Sequence, residues 1–288
     1  MSLRTLLILG RVSNLPTVWT NLLAGYVLAA SFATAGIIAV DWPTLLMLIV
    51  AVTLHYTGGM FLNDAFDAEI DSAERSARPI PSGQISVQTV FLLGGAQIVI
   101  GTLLLFMLDA EAGLLGVALA GVVLLYDWLH KRTALAPVIM GACRFLVYLI
   151  AAAAVATPDD PRLLLAAAGL WSYTAGLTYA AKQEALDRMD SFWPLALLAA
   201  PVIIGALLAN GAALPLTILA GLAIWSALAV RLFVRRAPGD VPRGVVSLIA
   251  GMSIYDAALI GIVSTDLTVV ALGGFLLTLA FQRVIPGT

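Results

Sequence analysis

Charge is scarce in this chain. Asp, Glu, Lys and Arg make up 11% of its 288 residues, with 15 basic and 17 acidic side chains and a net charge of −2. No basic stripe interleaved with aromatics runs along it, which excludes a nucleic-acid-binding module. Cysteine is almost missing: Cys143 stands alone, so no intrachain disulfide can form, and its apolar surroundings suit packing. Two histidines, His55 and His130, cannot build a zinc site with so few soft partners. Long polar stretches are few as well. Hydrophobic residues reach 61% and the mean hydropathy is +1.01, against roughly 45–50% apolar in a soluble domain. A soluble enzyme with an anchor is thereby excluded. The composition implies one polytopic, all-helical integral-membrane domain over residues 1–288, embedded in a lipid bilayer. Arg4 and Arg11 precede a long apolar run with no short apolar core and cleavage site, so a retained first helix is expected.

A spanning helix needs about 20 predominantly apolar residues. Such runs fall near 15–37, 43–62, 87–108, 112–128, 135–156, 162–181, 192–209, 213–233, 244–263 and 267–284. The expectation is a transmembrane helical bundle of nine or ten spans, nine if one of the last two runs is re-entrant. Pro43, Pro137, Pro161, Pro194 and Pro215 stand near span starts, where the missing N–H is harmless. Gly121 and Gly169 suit close helix contact. With a cytoplasmic N-terminus, every Lys and Arg except Arg162 and the intramembrane Arg144 falls on the inner side, while Asp41, Asp109, Glu111, Asp159, Asp160 and Asp266 fall outside. This positive-inside pattern predicts a multi-pass protein of the cell inner membrane with its longer polar loops, and hence its reaction site, facing the cytoplasm.

The most informative stretch is NDAFDAEID, Asn63 to Asp71. Asn63, Asp67 and Asp71 recur every four residues, so on one helix they share a face, with Asp64 at its border. Stacked oxygen ligands at the edge of an apolar protein suit Mg²⁺, which usually bridges protein carboxylates to a substrate phosphate. Arg75 and Arg78 follow directly and place positive charge beside the acids, as an anionic substrate requires. A solvated acidic loop is the plainer alternative.

Other polar stretches extend this reading. In YDWLHKRTALAP, Lys131 and Arg132 could bind the same diphosphate, or simply anchor the loop, and Tyr126 could be an interfacial aromatic. In LTYAAKQEALDRMDSFWP, Glu184, Asp187 and Asp190 recur every three residues and could face the first cluster as a second set of metal ligands, or form a solvated helix end. Arg144 and Asp256 are intramembrane charges, which usually face a cavity or pair with one another.

The run NDAFDAEIDSAERSARPIPSGQIS resembles the first signature of the UbiA superfamily of intramembrane prenyltransferases, at Asn63, Asp64, Asp67, Asp71, Arg78, Pro79, Pro81, Ser82 and Gly83. The opening RVSNLPTVWTNLLAGYVLA resembles the family's first helix, and Tyr126 with Lys131–Arg132 resembles its Tyr followed by a Lys-Arg pair. The resemblance implies a helical bundle whose cavity opens to the lipid. It implies transfer of a prenyl group from a prenyl diphosphate to an aromatic or other lipophilic acceptor. Asn63, Asp67 and Asp71 would then bind Mg²⁺, and Arg78 and Lys131 the diphosphate. The second signature departs: Gln183 stands at its first aspartate and Asp187 at its second, and Phe192, Trp193 and Pro194 replace the usual continuation. HKRT, MGACR and YAAKQE look closer to a divergent UbiA-like branch of bacterial Ebo-type gene clusters. A transporter or lipid-binding scaffold that kept the bundle and lost the chemistry is the competing expectation. A phosphatidyl-alcohol transferase is disfavoured because its DGxxAR-type signature is absent.

Overall fold

A computed structural model describes residues 2–34, 39–182 and 191–287. Helix starts follow the local chemistry. Pro43 and Pro137 occupy the first turns of α3 (Trp42–Phe66) and α7 (Ala136–Ala153). Ser86 caps α5 (Val87–Leu108) by accepting from Thr89 N–H at 3.2 Å. Asp109 ends α5 and caps α6 (Ala110–Leu129), accepting from the N–H groups of Glu111 and Ala112. Each such cap satisfies donors that a helix start leaves free.

The remaining elements are α1 (Leu3–Leu9), α2 (Leu15–Ala33), α4 (Ala68–Glu74), α8 (Pro161–Lys182), a 3₁₀ stretch (Trp193–Ala199) leading into α9 (Ala200–Ala209), α10 (Ala213–Arg235), α11 (Asp240–Ile260) and α12 (Thr265–Gln282). Every predicted apolar run is represented by helix. Eight of the described helices are long and apolar enough to cross a membrane: Val12–Ala33, which takes in α2, then α3, α5, α6, α7, α10, α11 and α12. The other two runs differ. α8 has the length but carries Trp171, Ser172, Tyr173, Thr174, Thr178 and Tyr179, and the apolar segment Trp193–Ala209 is shorter.

α2 and α11 lie at the centre, mostly buried, while α5, α6, α10 and α12 expose most of their apolar surface as a lipid-facing ring. Lipid offers no hydrophobic drive for helix association, so close contact depends on small residues. A Cβ on Gly25 of α2 would lie 2.7 Å from the Tyr148 carbonyl of α7, and one on Gly169 of α8 would collide with the Tyr255 hydroxyl of α11. Gly121 does not act this way: a Cβ there meets nothing within 4 Å. Its helix, α6, turns that position away from its neighbours.

A second, small core of Leu9, Phe61, Ala65, Ile85 and Val90 clamps α1 and the end of α3 to the turn before α5. That turn contains RPIPSG, and Gly83 takes φ +75°, a left-handed conformation natural only to glycine. Near the other end of the chain, Asn14 donates to the Gly287 carbonyl at 2.8 Å and accepts from Gln282 at 3.1 Å. The segment after α12 is thus held against the start of α2.

Candidate active site

The acidic motif sits where α3 gives way to α4. The four-residue spacing predicts one continuous helix through Asn63, Asp67 and Asp71; instead α3 ends at Phe66 and α4 begins at Ala68, with Asp67 at the junction. Helical bonding nevertheless carries on: Asp67 N–H reaches the Asn63 carbonyl at 3.0 Å and Asp71 N–H the Asp67 carbonyl at 2.8 Å. The four motif side chains therefore stay near one another. All are buried, from 7% exposure at Asp67 to 3% at Asp71.

Buried carboxylates persist only when paired, and each of these three is paired. Arg78, on the loop after α4, bonds Asp71 at 2.7 Å and Asp64 at 3.3 Å. Arg11 bonds Asp64 at 3.3 Å and the Asn63 side-chain oxygen Oδ1 at 3.4 Å. Lys131 meets Asp67 at 3.2 Å, beside His130 at 3.3 Å. Burial alone would push the Asp67 carboxyl up, but the hydrogen bond and charge of His130, joined by Lys131, hold it below the usual carboxylate range. For Arg11, burial would lower the guanidinium, but the charge and hydrogen bond of Asp64, joined by Tyr56 and Tyr126, together raise it. Arg11 takes φ 42°, left-handed and strained for a non-glycine residue. That strain is sustained where its side chain reaches the motif.

The sequence expectation thus brings together Asn63, Asp64, Asp67, Asp71, Arg78 and Lys131. Tyr126 joins them through its ring, stacked on His130 with centroids 5.2 Å apart. Arg132 does not: it is exposed, and its guanidinium lies over Trp128 at 5.7 Å. Glu184 and Asp187, with Gln183 and Asp190, lie outside the described residues. Lys182, at the described end of α8, donates to the carbonyls of His130 and Thr133, both at 2.9 Å. The end of α8 is therefore beside the end of α6.

Three participants were not singled out from sequence: Arg11, His130 and Asp127. Asp127 accepts from the Asn63 amide at 3.0 Å through Oδ1, while its other oxygen, Oδ2, is buried with no partner. Its signal was there to read, as an acid in an apolar helix one residue after Tyr126.

Two connected cavities lie behind the motif. A narrow chamber, with about 80 Å³ open to a water-sized group, is walled by α2, α3, α6 and α7, chiefly by apolar side chains, with Asp127, His55 and Arg144 as polar exceptions. A vestibule, with about 210 Å³ open to a water-sized group, is lined by Arg11, Arg75 and Arg78 together with residues of α8 and α11. Tyr56, Met60, Tyr126, Met140 and Arg144 line both. Cys143, expected only to pack, also lines the chamber.

Among the described residues no three His, Cys, Asp or Glu side chains converge as a ready metal cage. The donor chemistry still fits Mg²⁺, which needs only one or two carboxylates when substrate phosphates and waters complete its shell. Asn63, Asp67 and Asp71 supply oxygen donors, and the unpartnered Asp127 oxygen beside Asn63 is the kind of atom a cation or ligand would satisfy.

Comparison with known proteins places the chain in a family. The model of the UbiA prenyltransferase family matches residues 22–191. Protoheme IX farnesyltransferase of Exiguobacterium sibiricum is 33% identical over 152 residues, 51% of this chain and 48% of that protein. Digeranylgeranylglyceryl phosphate synthase of Methanococcoides burtonii is 37% identical over 87 residues, 30% of this chain and 31% of that one. The matched stretch thus spans about a third to a half of these curated relatives. In three dimensions the chain resembles a UbiA homologue from Aeropyrum pernix K1, with TM-score 0.64, 20% identity and coverage of 88% of this chain and 98% of that one. It also resembles a UbiA homologue from Archaeoglobus fulgidus bound to GPP and Mg²⁺, with TM-score 0.52, 15% identity and coverage of 88% and 99%. With the family model covering more than half of its length, this chain belongs to the UbiA prenyltransferase family.

Proposed function

We propose that the protein is a Mg²⁺-dependent prenyltransferase that moves a prenyl group from a prenyl diphosphate to a lipophilic acceptor. The observation that carries this is the placement of paired acids and bases, Asp64, Asp67 and Asp71 with Arg11, Arg78 and Lys131, beside an apolar chamber. The diphosphate would sit among Arg78, Lys131 and the acids, and the prenyl chain would enter the chamber. Arg78 and Lys131 each exchange a carboxylate for a phosphate oxygen. Asn63, Asp67 and Asp71 would hold the metal, with Asp64 at its edge and Glu184 and Asp187 as further ligands. When bound, Mg²⁺ supplies the charge neutralisation that lets diphosphate leave. The C1–O bond of the donor breaks, its electron pair goes to the diphosphate, and the acceptor's nucleophilic atom bonds to C1 and gives up its proton to water or the departing diphosphate. Charge is stabilised where it develops, by donors already in place. Arg144 and Tyr126 would contact substrate at the passage between vestibule and chamber.

The A. fulgidus homologue binds GPP and Mg²⁺, and relatives named for farnesyl transfer and digeranylgeranylglyceryl phosphate synthesis support prenyl transfer as the class. We place the acidic end on the cytoplasmic side of the inner membrane, on the positive-inside pattern. Cysteines introduced at the exposed Ser72 and Asp159 should label from opposite faces; labelling from one face would refute this orientation. The deciding experiment is diphosphate release by purified protein from farnesyl or geranylgeranyl diphosphate, expected only with Mg²⁺. A second reading, a transporter or lipid-binding scaffold, is favoured by Gln183, which stands where the family's second signature has its first aspartate. Prenyl diphosphate binding without turnover would support it.

A further inference from the structure

We propose that Asp256 is a positioning residue for Arg144, acting through Asn21, so that the guanidinium meets an anionic group of a lipophilic acceptor in the chamber. This rests on the prenyl-transfer reading above and assigns its acceptor a chemical feature, a carboxylate or phosphate.

Arg144 lies eight residues past the start of α7, about 12 Å along the helix at 1.5 Å per residue. That places it below the acidic end, in the wall shared by vestibule and chamber. Its guanidinium donates to Asn21 Oδ1 at 2.6 Å and to Thr17 Oγ1 at 3.1 Å. No ion pair joins it to a carboxylate among the described residues. Asp256 is one step removed. It accepts from Asn21 Nδ2 at 2.7 Å, Thr20 at 2.6 Å and Tyr148 at 2.6 Å, and is wholly buried.

The order of groups fixes the geometry. A carboxylate only accepts and a guanidinium only donates. Asn21 must therefore turn its NH₂ to Asp256 and its oxygen to Arg144, because the reverse leaves both bonds unmade. Thr17 gives its own hydrogen to the Asn14 carbonyl at 2.8 Å, so its oxygen is free to accept from Arg144. Thr17, Thr20 and Asn21 share one face of α2, and Arg144 and Tyr148 share one face of α7. Every atom that orients Arg144 is short, buried and attached to a central helix. Had Asp256 paired with Arg144 directly, the cation would be neutralised. The interposed amide holds the arginine in place and leaves its remaining N–H groups for the chamber it lines.

The test uses the full chain in lipid nanodiscs with 1-naphthoate, a lipophilic carboxylate, as the probe, its binding followed by calorimetry. Wild type should bind it saturably. Arg144→Ala and Asp256→Asn should each weaken binding at least tenfold, while Asp256→Asn keeps Mg²⁺-dependent binding of inorganic diphosphate within about twofold. Asn21→Ala removes the spacer without touching the other bonds to Asp256, and should lose naphthoate equally. Tyr148→Phe removes a bond to Asp256 but leaves the amide in place, so it should lower the melting temperature and keep naphthoate affinity. The proposal is overturned by any of three results: no saturable naphthoate binding to wild type, wild-type affinity in Arg144→Ala or Asp256→Asn, or equal loss in Tyr148→Phe. The prenyl-transfer reading fails separately, if wild type releases no diphosphate from farnesyl diphosphate with Mg²⁺.

Discussion

Two charged regions of this protein are built on opposite plans. At the acidic end, Asp64, Asp67 and Asp71 are compensated by long side chains, Arg11, Arg78 and Lys131, arriving from the chain's first turn and from loops. Lys131 is 36% exposed, and Arg11 and Arg78 about 20%. In the middle of the bundle, Asp256 is compensated by Thr20, Asn21 and Tyr148, short groups on α2 and α7 with no exposure to spare. Long flexible cations can trade one anion for another at modest cost, whereas helix-borne groups cannot move without repacking. The first region is suited to ligand exchange and the second to fixed geometry.

The comparison can be broken from either side. The largest effect should come from Asp67→Ala or Asp71→Ala, each lowering Mg²⁺-dependent affinity for a prenyl diphosphate analogue a hundredfold or more by calorimetry. The melting temperature should fall less than in Asp256→Ala, since the partners Arg78 and Lys131 are part-exposed and can turn to water once released. Retained affinity in both variants would remove the metal assignment. Next in size, Asp256→Ala should destabilise the bundle by about 3–5 kcal/mol, the usual cost of breaking a buried charged network by removing one partner. A shift no larger than that of Asp71→Ala would erase the distinction between the two regions.

Asp127→Asn sharpens the contrast with a change of opposite sign. It replaces a buried carboxylate with one unpartnered oxygen by a neutral amide that can still accept from Asn63. Thermal or denaturant unfolding should show a gain of about 1 kcal/mol, because the amide carries no charge to bury even though its NH₂ takes over the unpartnered position. Loss of stability would mean that Asp127 is already satisfied. The smallest effect belongs to the far end of the bundle. Asp160 is held below the usual carboxylate range by its hydrogen bond to Arg162, yet the pair is exposed. Asp160→Asn should cost only about 0.2–1 kcal/mol. Because a depressed carboxyl stabilises only above its unfolded-state value, the difference between wild type and variant should vanish as pH falls through the acid range.

Much of this architecture was legible because lipid simplifies the code. Apolar runs and helix-starting prolines locate α3, α7 and α10 from composition alone. The grouping of Asn63, Asp64, Asp67 and Asp71 follows from helical spacing, and survives the break at Asp67 because the backbone bonds continue across it. Partners from distant segments were harder. Arg11 reads as one of many inner-side cations until its left-handed turn carries it to Asp64. Asp127 is masked by its conspicuous neighbours Tyr126 and Lys131. Pairing of Arg144 with Asp256 was one of the readings open to these intramembrane charges, and the link between them is indirect, since no spacing rule reveals that Asn21 of α2 stands between them.

The closure of the chain on itself has a practical side. Gly287 is tied to Asn14 and lines the vestibule with Arg11 and Arg78. Polypeptide attached beyond it would leave from the wall of the vestibule. An affinity tag or fluorescent reporter is better grafted elsewhere, for example at the exposed connection near Asp159, where it would burden neither diphosphate entry nor its assay.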